Sequence, residues 1–457
     1  MSDETEFEST NFKVFVGTLV HSTWDIPMVI LKNKVIGIKG RKIVFIEEAV
    51  KLDELQSLWK FSINNVCLLS DSQFLMPGLV DTHIHASQYV YTGTALDLGL
   101  LEWLEKYTFP IESTFKDLKF AEHAYTKAVH RVVKSGTTTA CYFATIHLQG
   151  TIKLCQIISD VGQRALVGKV NMDCNSPDFY QEDSTDSIQD TERFVETLLN
   201  QGNANLIPVL TPRFALTCTP KLMSALGEIA ASHNLPIQSH LGESKGELDA
   251  VRSMHPGYDS YSDVYDKCGL LTSRTIMAHC IYLTEDELNL LKTRGVGVSH
   301  CPNSNTSIRS GLMDARDMLD RGIKLGLGTD VSGGYHPSML DAMRQAIQVS
   351  NIVSFEHHEG ENYKPLDYRE VFRLATLGGS QVLNLEDKIG NFEVGKEFDA
   401  LLVNFEALDS PFDVFERDTL EDKIQKFIFL GDDRNIEEVY VAGKNITCNN
   451  KLHCKLH

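Results

Sequence analysis

Eight apolar, β-branched runs, each followed by a helical pattern, occupy the middle of this 457-residue chain. The runs begin near Leu79, Thr137, Ala165, Leu206, Ile237, Ile276, Val296 and Leu325. Segments 285–294 and 338–349, which lie among the helical patterns, carry apolar residues at the three-to-four spacing of a helix packed on one side. Strand–helix alternation repeated eight times predicts an α/β fold, a (β/α)8 TIM barrel with parallel strands.

Short strand-like segments flank this region at both ends of the chain. They cover residues 12–16, 28–31, 35–38 and 42–46 before the barrel, and residues 399–403 and 438–442 after it. Glycine and lysine punctuate these segments, as is typical of a small antiparallel sheet. We therefore predict a small β-sandwich domain built from residues 1–75 and 390–457, with the metal-dependent barrel spanning residues 76–389.

The charge balance bears on the choice of partner. A formal net charge of −19 disfavours nucleic acid and anionic membrane surfaces, because both select basic patches. The acidic start of the chain predicts no secretory signal, and no apolar run is long enough to predict a membrane span. Ten cysteines without a Cys-x-x-Cys pair indicate reduced thiols, so we expect a cytosolic protein. The negative charge does not argue against a small neutral substrate.

The sequence His83-Ile84-His85 at the end of the first run is the strongest chemical signal. Residues two apart on a strand point to the same side, and neutral imidazoles are good ligands for zinc. His240, His279 and Asp330 end the fifth, sixth and eighth runs. A barrel carries its active site at the carboxyl ends of its strands, so these side chains are predicted to meet. The alternative is a set of separate buried polar residues, each with its own partner.

Glu243 follows His240 by three residues and is placed beside the predicted metal site. A carboxylate in that position can move protons between an activated water and a substrate. The alternative role is that of a glutamate near a helix start, which stabilises the helix dipole.

This arrangement resembles the amidohydrolase superfamily, in its mononuclear deaminating branch. The fourth run, residues 206–213, has no lysine that could bridge two metal ions. The resemblance implies one Zn²⁺ per subunit, with ligands that match His83, His85, His240 and Asp330. It also implies that His279 bonds the attacking water and that the subunits form a homodimer.

Further segments resemble the members of that branch that deaminate guanine, over about residues 12–445. These segments are residues 137–145, 211–214, 299–305, 326–334 and 390–400. The implied guanine contacts are His85, Gln88, Arg213, Phe214, His240, Glu243 and Asp330. Arginine donates to a carbonyl, glutamine can donate and accept, and phenylalanine offers a flat apolar face. Without the resemblance, the same Arg213, Gln88 and Phe214 fit a surface ion pair, a solvated amide and a core ring.

The expected activity is the hydrolytic deamination of guanine to xanthine and ammonia, with Glu243, His279 and Asp330 as catalytic residues. Two alternatives remain open from the sequence. One is another amidohydrolase deaminase that acts on cytosine or on an adenosine-type nucleoside. The other is a relative without chemistry that serves as a scaffold, although such a protein would have no need of the full set of ligands.

Overall fold

The computed structural model describes residues 12–357 and 362–447 of the chain. Its strands are β1 (Phe12–His21), β2 (Val29–Lys39), β3 (Lys42–Glu48), β4 (Val66–Leu68), β5 (Gln73–Pro77), β6 (Leu79–His85), β7 (Thr137–Phe143), β8 (Arg164–Gly168), β9 (Val170–Asn171), β10 (Leu206–Pro208), β11 (Thr211–Pro212), β12 (Ile237–Leu241), β13 (Thr275–His279), β14 (Gly297–His300), β15 (Lys324–Leu327), β16 (Ala400–Asn404), β17 (Ile436–Val441) and β18 (Lys444–Asn445). The α-helices are α1 (Leu52–Trp59), α2 (Leu100–Trp103), α3 (Phe109–Glu112), α4 (Leu118–Lys134), α5 (Leu148–Val161), α6 (Ser184–Gln201), α7 (Pro220–His233), α8 (Lys245–Met254), α9 (Tyr261–Lys267), α10 (Glu285–Arg294), α11 (Pro302–Ser307), α12 (Ala315–Asp320), α13 (Met339–His357), α14 (Tyr368–Arg373), α15 (Gly379–Val382) and α16 (Leu420–Leu430). Single π-helical turns at Leu104–Thr108 and Leu374–Gly378 continue α2 into α3 and α14 into α15.

All eight predicted runs form the strands of a (β/α)8 barrel. Strands β6, β7, β8 and β10 pair in parallel, and so do β12, β13, β14 and β15. A parallel bridge between Leu210 and Ile237 joins the two sets on one side. On the other side the amide of Asp330 donates to the carbonyl of His83 at 2.9 Å, which connects β6 to the segment after β15. The strand ends therefore share one mouth, as the sequence predicts.

Both predicted helical segments form helices, and one of them has the predicted bounds. Helix α10 has the predicted bounds, because Thr284 and Glu287 form a capping box at its start and Gly295 ends it at φ +71°. Helix α13 extends well beyond the predicted segment 338–349.

One strand prediction was wrong. Segments 28–31 and 35–38 are not separate strands, because residues 29–31 and 35–38 belong to the continuous β2. The register of pairing with β1 shifts at the polar residues between them, where Gly17 pairs with Lys34 but Leu19 pairs with Leu31. Asn33 lies in that stretch at φ +52° and provides the extra residue of a bulge.

Both ends of the chain build one small β domain, which confirms that part of the predicted fold. The sheet order is β18-β17-β16-β5-β1-β2-β3, and β4 also pairs with β1. The two ends share an apolar core, in which the ring of Phe15 lies 5.7 Å from that of Phe398 and 5.6 Å from that of Tyr440. The domain boundaries at residues 75 and 390 remain a prediction.

A buried ion pair fastens this domain to the barrel. Arg164 begins β8, and its Nε donates to Asp399 at 2.9 Å while its Nη2 contacts Glu397 at 2.6 Å. The three side chains are buried, so these charged groups are shielded from water.

Among residues 12–357 and 362–447, no helix combines the length and apolar composition needed to cross a membrane.

Candidate active site

Four predicted ligands meet at the mouth of the barrel. His83 and His85 lie on β6, His240 lies on β12, and Asp330 follows β15. One ligand atom from each lies within 4.8 Å of those of the others, and all four side chains are buried. The Nε2 atom of His83 is 3.1 Å from the Oδ1 atom of Asp330, and that of His85 is 3.2 Å from the Nε2 atom of His240. The alternative of separate buried polar residues does not describe this cluster.

The chemistry of the donor set fits a zinc-type ion. The Nδ1 atom of His240 lies 2.7 Å from the carbonyl oxygen of Arg213, which accepts its proton and leaves the Nε2 lone pair directed into the cluster. Burial lowers the pKa of His83, and it lowers the pKa values of His85 and His240 well below the usual range, so the rings are neutral. Metal ligation requires neutral imidazoles, and three of them with one carboxylate suit zinc.

Asp330 is ionised within this cluster. Burial opposes its ionisation, but the 3.1 Å contact with His83 and the charge of His279 outweigh burial and lower the pKa of Asp330 below its ordinary value. Its backbone has φ +45°, and His279 has φ +71°, a conformation that is strained for both residues. Such strain persists where surrounding contacts fix the chain, and it is concentrated at functional sites.

A set of hydrogen bonds made by Asp81, here called the brace, connects β6 to the segment after β15. The sequence did not predict it. The carboxylate of Asp81 accepts from the hydroxyl of Thr329 at 2.6 Å and from its amide at 3.0 Å. It also accepts from the amide of His83 at 3.2 Å. Burial raises the pKa of Asp81 to about 7. The brace holds His83 and Asp330 at a fixed separation.

Glu243 lies beside the cluster at the end of the turn that follows β12. Gly242 makes this turn at φ +60°, where an added Cβ would lie 3.4 Å from the carbonyl of Tyr282. The amide of Glu243 donates to Glu247 at 2.8 Å, and the hydroxyl of Ser310 donates to its Oε1 atom at 3.2 Å. Burial raises the pKa of Glu243 to about 7. A carboxyl group with that pKa can both accept and donate a proton near neutral pH.

His279 ends β13 and faces both carboxylates. Its Nε2 atom lies 3.4 Å from the Oε2 atom of Glu243 and 3.7 Å from the Oδ2 atom of Asp330. Its Nδ1 atom is 2.8 Å from the Oδ1 atom of Asn305 on α11, which accepts its proton. Burial favours the neutral ring, but Glu243 and Asp330 outweigh burial and raise the pKa of His279. The ring is therefore a proton donor aimed between the two carboxylates.

A cavity of about 380 Å³, including its opening, lies over this group. Its lining is formed by His85, Gln88, Leu100, Trp103, Leu104, Arg213, Phe214, His240, Glu243, His279, Ile308, Asp330 and Gly333. The predicted catalytic and substrate residues all line this cavity, whereas His83, the fourth predicted ligand, is not part of its lining. A largely apolar cavity with a few convergent polar groups is typical of a small-molecule site.

The side chains predicted to contact the substrate enter the cavity from the segments that follow β6 and β11. Gln88 belongs to the 3₁₀-helix Ala86–Tyr91 after β6, and Arg213 and Phe214 follow β11. The buried guanidinium of Arg213 contacts Glu112 at 2.7 Å and lies over the ring of Phe109 at 5.4 Å. Burial opposes its charge, but Glu112 outweighs burial and raises the pKa of Arg213. Sequence reasoning missed Glu112, because nothing in the local pattern of residues 100–112 marks that side chain.

Fold and site together define a class: barrel hydrolases with a group of potential metal ligands at the strand ends. Residues 74–446 match the model of the Amidohydrolase family. A guanine deaminase of Rattus norvegicus is 52% identical over 95% of this chain and 96% of that protein. The chain belongs to the amidohydrolase family, among its guanine deaminases.

More distant proteins agree with this assignment. A guanine deaminase of Dictyostelium discoideum is 47% identical over 95% of this chain and 98% of its own length. The crystal structure of guanine deaminase from C. acetobutylicum, with bound guanine in the active site, superposes with a TM-score of 0.87 at 37% identity. That likeness covers 95% of this chain and all of the other.

Proposed function

We propose that this protein hydrolyses guanine to xanthine and ammonia. The observation that carries the proposal is the meeting, in one buried cavity, of a proton-transferring Glu243 with the recognition residues Arg213 and Phe214. The similarity to guanine deaminases, one of them with bound guanine, supports the same substrate. Deaminases of cytosine or adenosine-type nucleosides are not favoured by these relatives, and the complete ligand set does not fit a scaffold without chemistry.

The proposed cofactor is one zinc ion per subunit, held by His83, His85, His240 and Asp330. When bound there, zinc supplies the Lewis acidity that makes a water molecule acidic enough to lose a proton near pH 7. The neutral imidazoles and the ionised carboxylate support this assignment over a site for magnesium or calcium, since those ions prefer oxygen ligands.

Glu243 is the proposed proton carrier. It takes a proton from the attacking water and gives it to a ring nitrogen beside the carbon that bears the amine. That carbon becomes electrophilic, and the water oxygen bonds to it to give a tetrahedral adduct. A pKa near 7 supports both halves of this transfer, because the carboxyl group can hold the proton between the two steps.

His279 and Asp330 are proposed to complete the reaction. The raised pKa of His279 supports a protonated ring that orients the water oxygen and stabilises negative charge on the adduct. Asp330 accepts the second proton of the water and passes it to the amine. The carbon–nitrogen bond then breaks with its electron pair on nitrogen, and ammonia leaves. Guanine and water are thereby converted into xanthine and ammonia.

The recognition residues are proposed to hold the purine by its edge and its face. Arg213 donates to the carbonyl oxygen of guanine, Gln88 bonds the ring edge, and Phe214 packs on the ring plane. His85, His240, Glu243 and Asp330 line the end of the cavity where the amine is expected to lie. This orientation brings the reacting carbon to the proton carrier.

We further propose a homodimer that works in the cytosol in purine catabolism, without nucleic acid or membrane partners. The net charge of −19 and the absence of any Cys-x-x-Cys pair support the partner and compartment assignments. Sedimentation or light scattering of the purified protein tests the dimer.

The test of the activity is incubation with guanine, adenine and cytosine, following absorbance and ammonia release together. We expect guanine to give equal amounts of xanthine and ammonia, with little release from the other two. Faster ammonia release from cytosine or adenine would replace the proposed substrate, and no release from any of the three would refute the proposal.

A further inference from the structure

The fully buried carboxylate of Glu112 contacts Arg213 and Gln88 and takes no part in the proposed proton transfers. Glu112 ends α3 and has no exposed surface. Three groups donate to its two oxygens: the guanidinium of Arg213 at 2.7 and 3.4 Å, the Nε2 atom of Gln88 at 3.0 Å and the hydroxyl of Tyr180 at 2.8 Å. The hydroxyl of Ser87 lies 3.5 Å from one oxygen but has a shorter acceptor, the carbonyl oxygen of Ala144 at 3.2 Å.

Glu112 determines which way the amide of Gln88 points. An ionised carboxylate only accepts hydrogen bonds, so the NH₂ end of Gln88 must face it. The oxygen end of the amide then accepts from the backbone amide of Ser332 at 3.1 Å. With the amide rotated by half a turn, the oxygen of Gln88 would face Glu112 and its NH₂ would face another donor. The contacts with Glu112 and Ser332 therefore fix which end of the Gln88 amide is the NH₂ group and which is the oxygen.

Glu112 also holds the charge and the plane of Arg213. Arg213 is 2% exposed, and a buried cation without a counter-ion is strongly disfavoured. Two contacts to one carboxylate fix the orientation of the guanidinium plane as well as its position. The ring of Phe109 on α3 lies against the same guanidinium, so one short helix supports it from two directions.

We propose that Glu112 is the positioning residue that sets the preference of this site for a purine bearing a carbonyl group. One carboxylate holds both Arg213 and Gln88, so the two recognition groups are presented to the substrate as a unit. The inference rests on the proposed function, in which these two residues bind guanine. It differs from the role of a counter-ion alone, which would affect stability but not the choice between purines.

The test uses Glu112→Gln, which preserves volume and removes the charge, and Glu112→Asp, which preserves the charge on a shorter stem. Binding of hypoxanthine and of purine is measured by calorimetry on the metal-loaded protein. Hypoxanthine has the ring carbonyl of guanine but no amine to lose, and purine lacks both groups. Turnover of guanine and metal content are measured on the same preparations.

We expect the wild-type protein to bind hypoxanthine more tightly than purine and Glu112→Gln to lose most of that preference. A hydrogen bond to a charged group corresponds to about a ten- to hundredfold change in affinity, and we expect a loss of that size. Metal content should be unchanged, and Glu112→Asp should recover part of the preference, because it restores the charge. If Glu112→Gln does not fold, the same comparison is made with Glu112→Asp, which should show a smaller loss of preference.

The matched control is Asp399→Asn, which alters a buried ion pair outside the cavity. It should lower stability and keep the preference for hypoxanthine. The inference is overturned if the Glu112 variants keep the wild-type preference while losing stability as the control does. A wild-type protein that releases no ammonia from guanine would instead refute the proposed function, which turnover reports independently of the binding ratio.

Discussion

The Nε2 atom of His279 lies 3.4 Å from the Oε2 atom of Glu243, and this pair spans the ends of the neighbouring strands β12 and β13. Both groups are buried, and each has a separate anchor, Asn305 for the ring and Ser310 for the carboxylate. The pair is thus held in position before any substrate arrives, which is how an active site avoids reorganisation during the reaction.

Replacing Glu243 with glutamine should abolish most turnover and leave the metal bound. The amide keeps the size of the side chain but cannot carry a proton, and general acid–base catalysis contributes about 10²–10⁴ in rate. We expect kcat for guanine to fall by about that factor, measured by ammonia release, with unchanged metal content by mass spectrometry.

Glu287→Gln is the matched control for that variant. Glu287 is also buried, but it caps α10 and does not line the cavity. It should lower stability and keep kcat. Near-parent turnover in Glu243→Gln would refute the role of that carboxylate.

Removing one predicted ligand should remove the metal. His240→Ala leaves two imidazoles and one carboxylate, and metal affinity depends on the number and geometry of ligands. We expect the metal content of dialysed protein to fall from about one per subunit towards zero, along with the thermal midpoint. His300→Leu is the control, because His300 is also buried but is not one of the four predicted ligands, and it should not affect metal content. Equal metal loss in both variants would contradict the assignment.

The meeting of the candidate site residues was predictable because they lie where barrel geometry brings strand ends together. His83 and His85 are two apart on one strand, and His240, His279 and Asp330 end or follow others, so periodicity alone brings them to one mouth. Glu112 could not be found this way. It reaches Arg213 and Gln88 through the packing of α2, a π-helical turn and α3, and no sequence period reports such packing. The bulge that joins two predicted strands into β2 was missed for a related reason, since it depends on the register of β1.

Phe214→Ala should weaken guanine binding more than it slows the chemistry. The ring lines the cavity and lies 6.3 Å from the ring of His240. Loss of an aromatic face over a purine is expected to raise KM for guanine about tenfold or more, with a smaller change in kcat. Steady-state kinetics measure the split, and Phe214→Leu should lie between the two proteins. A fall in kcat at constant KM would indicate that the ring acts in the reaction step instead.

Asp399→Asn should destabilise the fold, because Asp399 accepts two bonds from the buried Arg164 and one from the amide of Ala442. In the variant, the neutral amide no longer offsets the cost of burying the charged guanidinium of Arg164. We therefore expect a loss on the order of 3 kcal/mol in the free energy of unfolding. Urea unfolding measures this loss. Arg131 and Asp433 form a more exposed pair, and Asp433→Asn should change the same quantity by less than about 1 kcal/mol. Similar losses in both variants would show that the Arg164 pair is not the connection described.

Stability should fall as the pH drops from about 6.5 to about 4, in part because of His21. Burial lowers the pKa of His21 to about 4, although Glu393 favours its charged form and Lys396 opposes it. The unfolded chain binds a proton near pH 6.5 and the folded chain does not, so the free energy of unfolding decreases through this window. The contribution of this single ring is up to about 3 kcal/mol. This loss of stability is complete once the pH falls below the folded-state pKa of His21.

His21→Leu removes that titration and keeps an apolar side chain against Phe392, whose ring lies 5.8 Å from that of His21. Urea unfolding at pH 7 and at pH 4.5 should therefore show a smaller pH-dependent loss in the variant than in the wild-type protein. His123→Leu serves as the control, because His123 is exposed and loses little hydration on folding. The explanation fails if His21→Leu and His123→Leu lose the same stability between the two pH values, since burial of the ring would then have no part in the response.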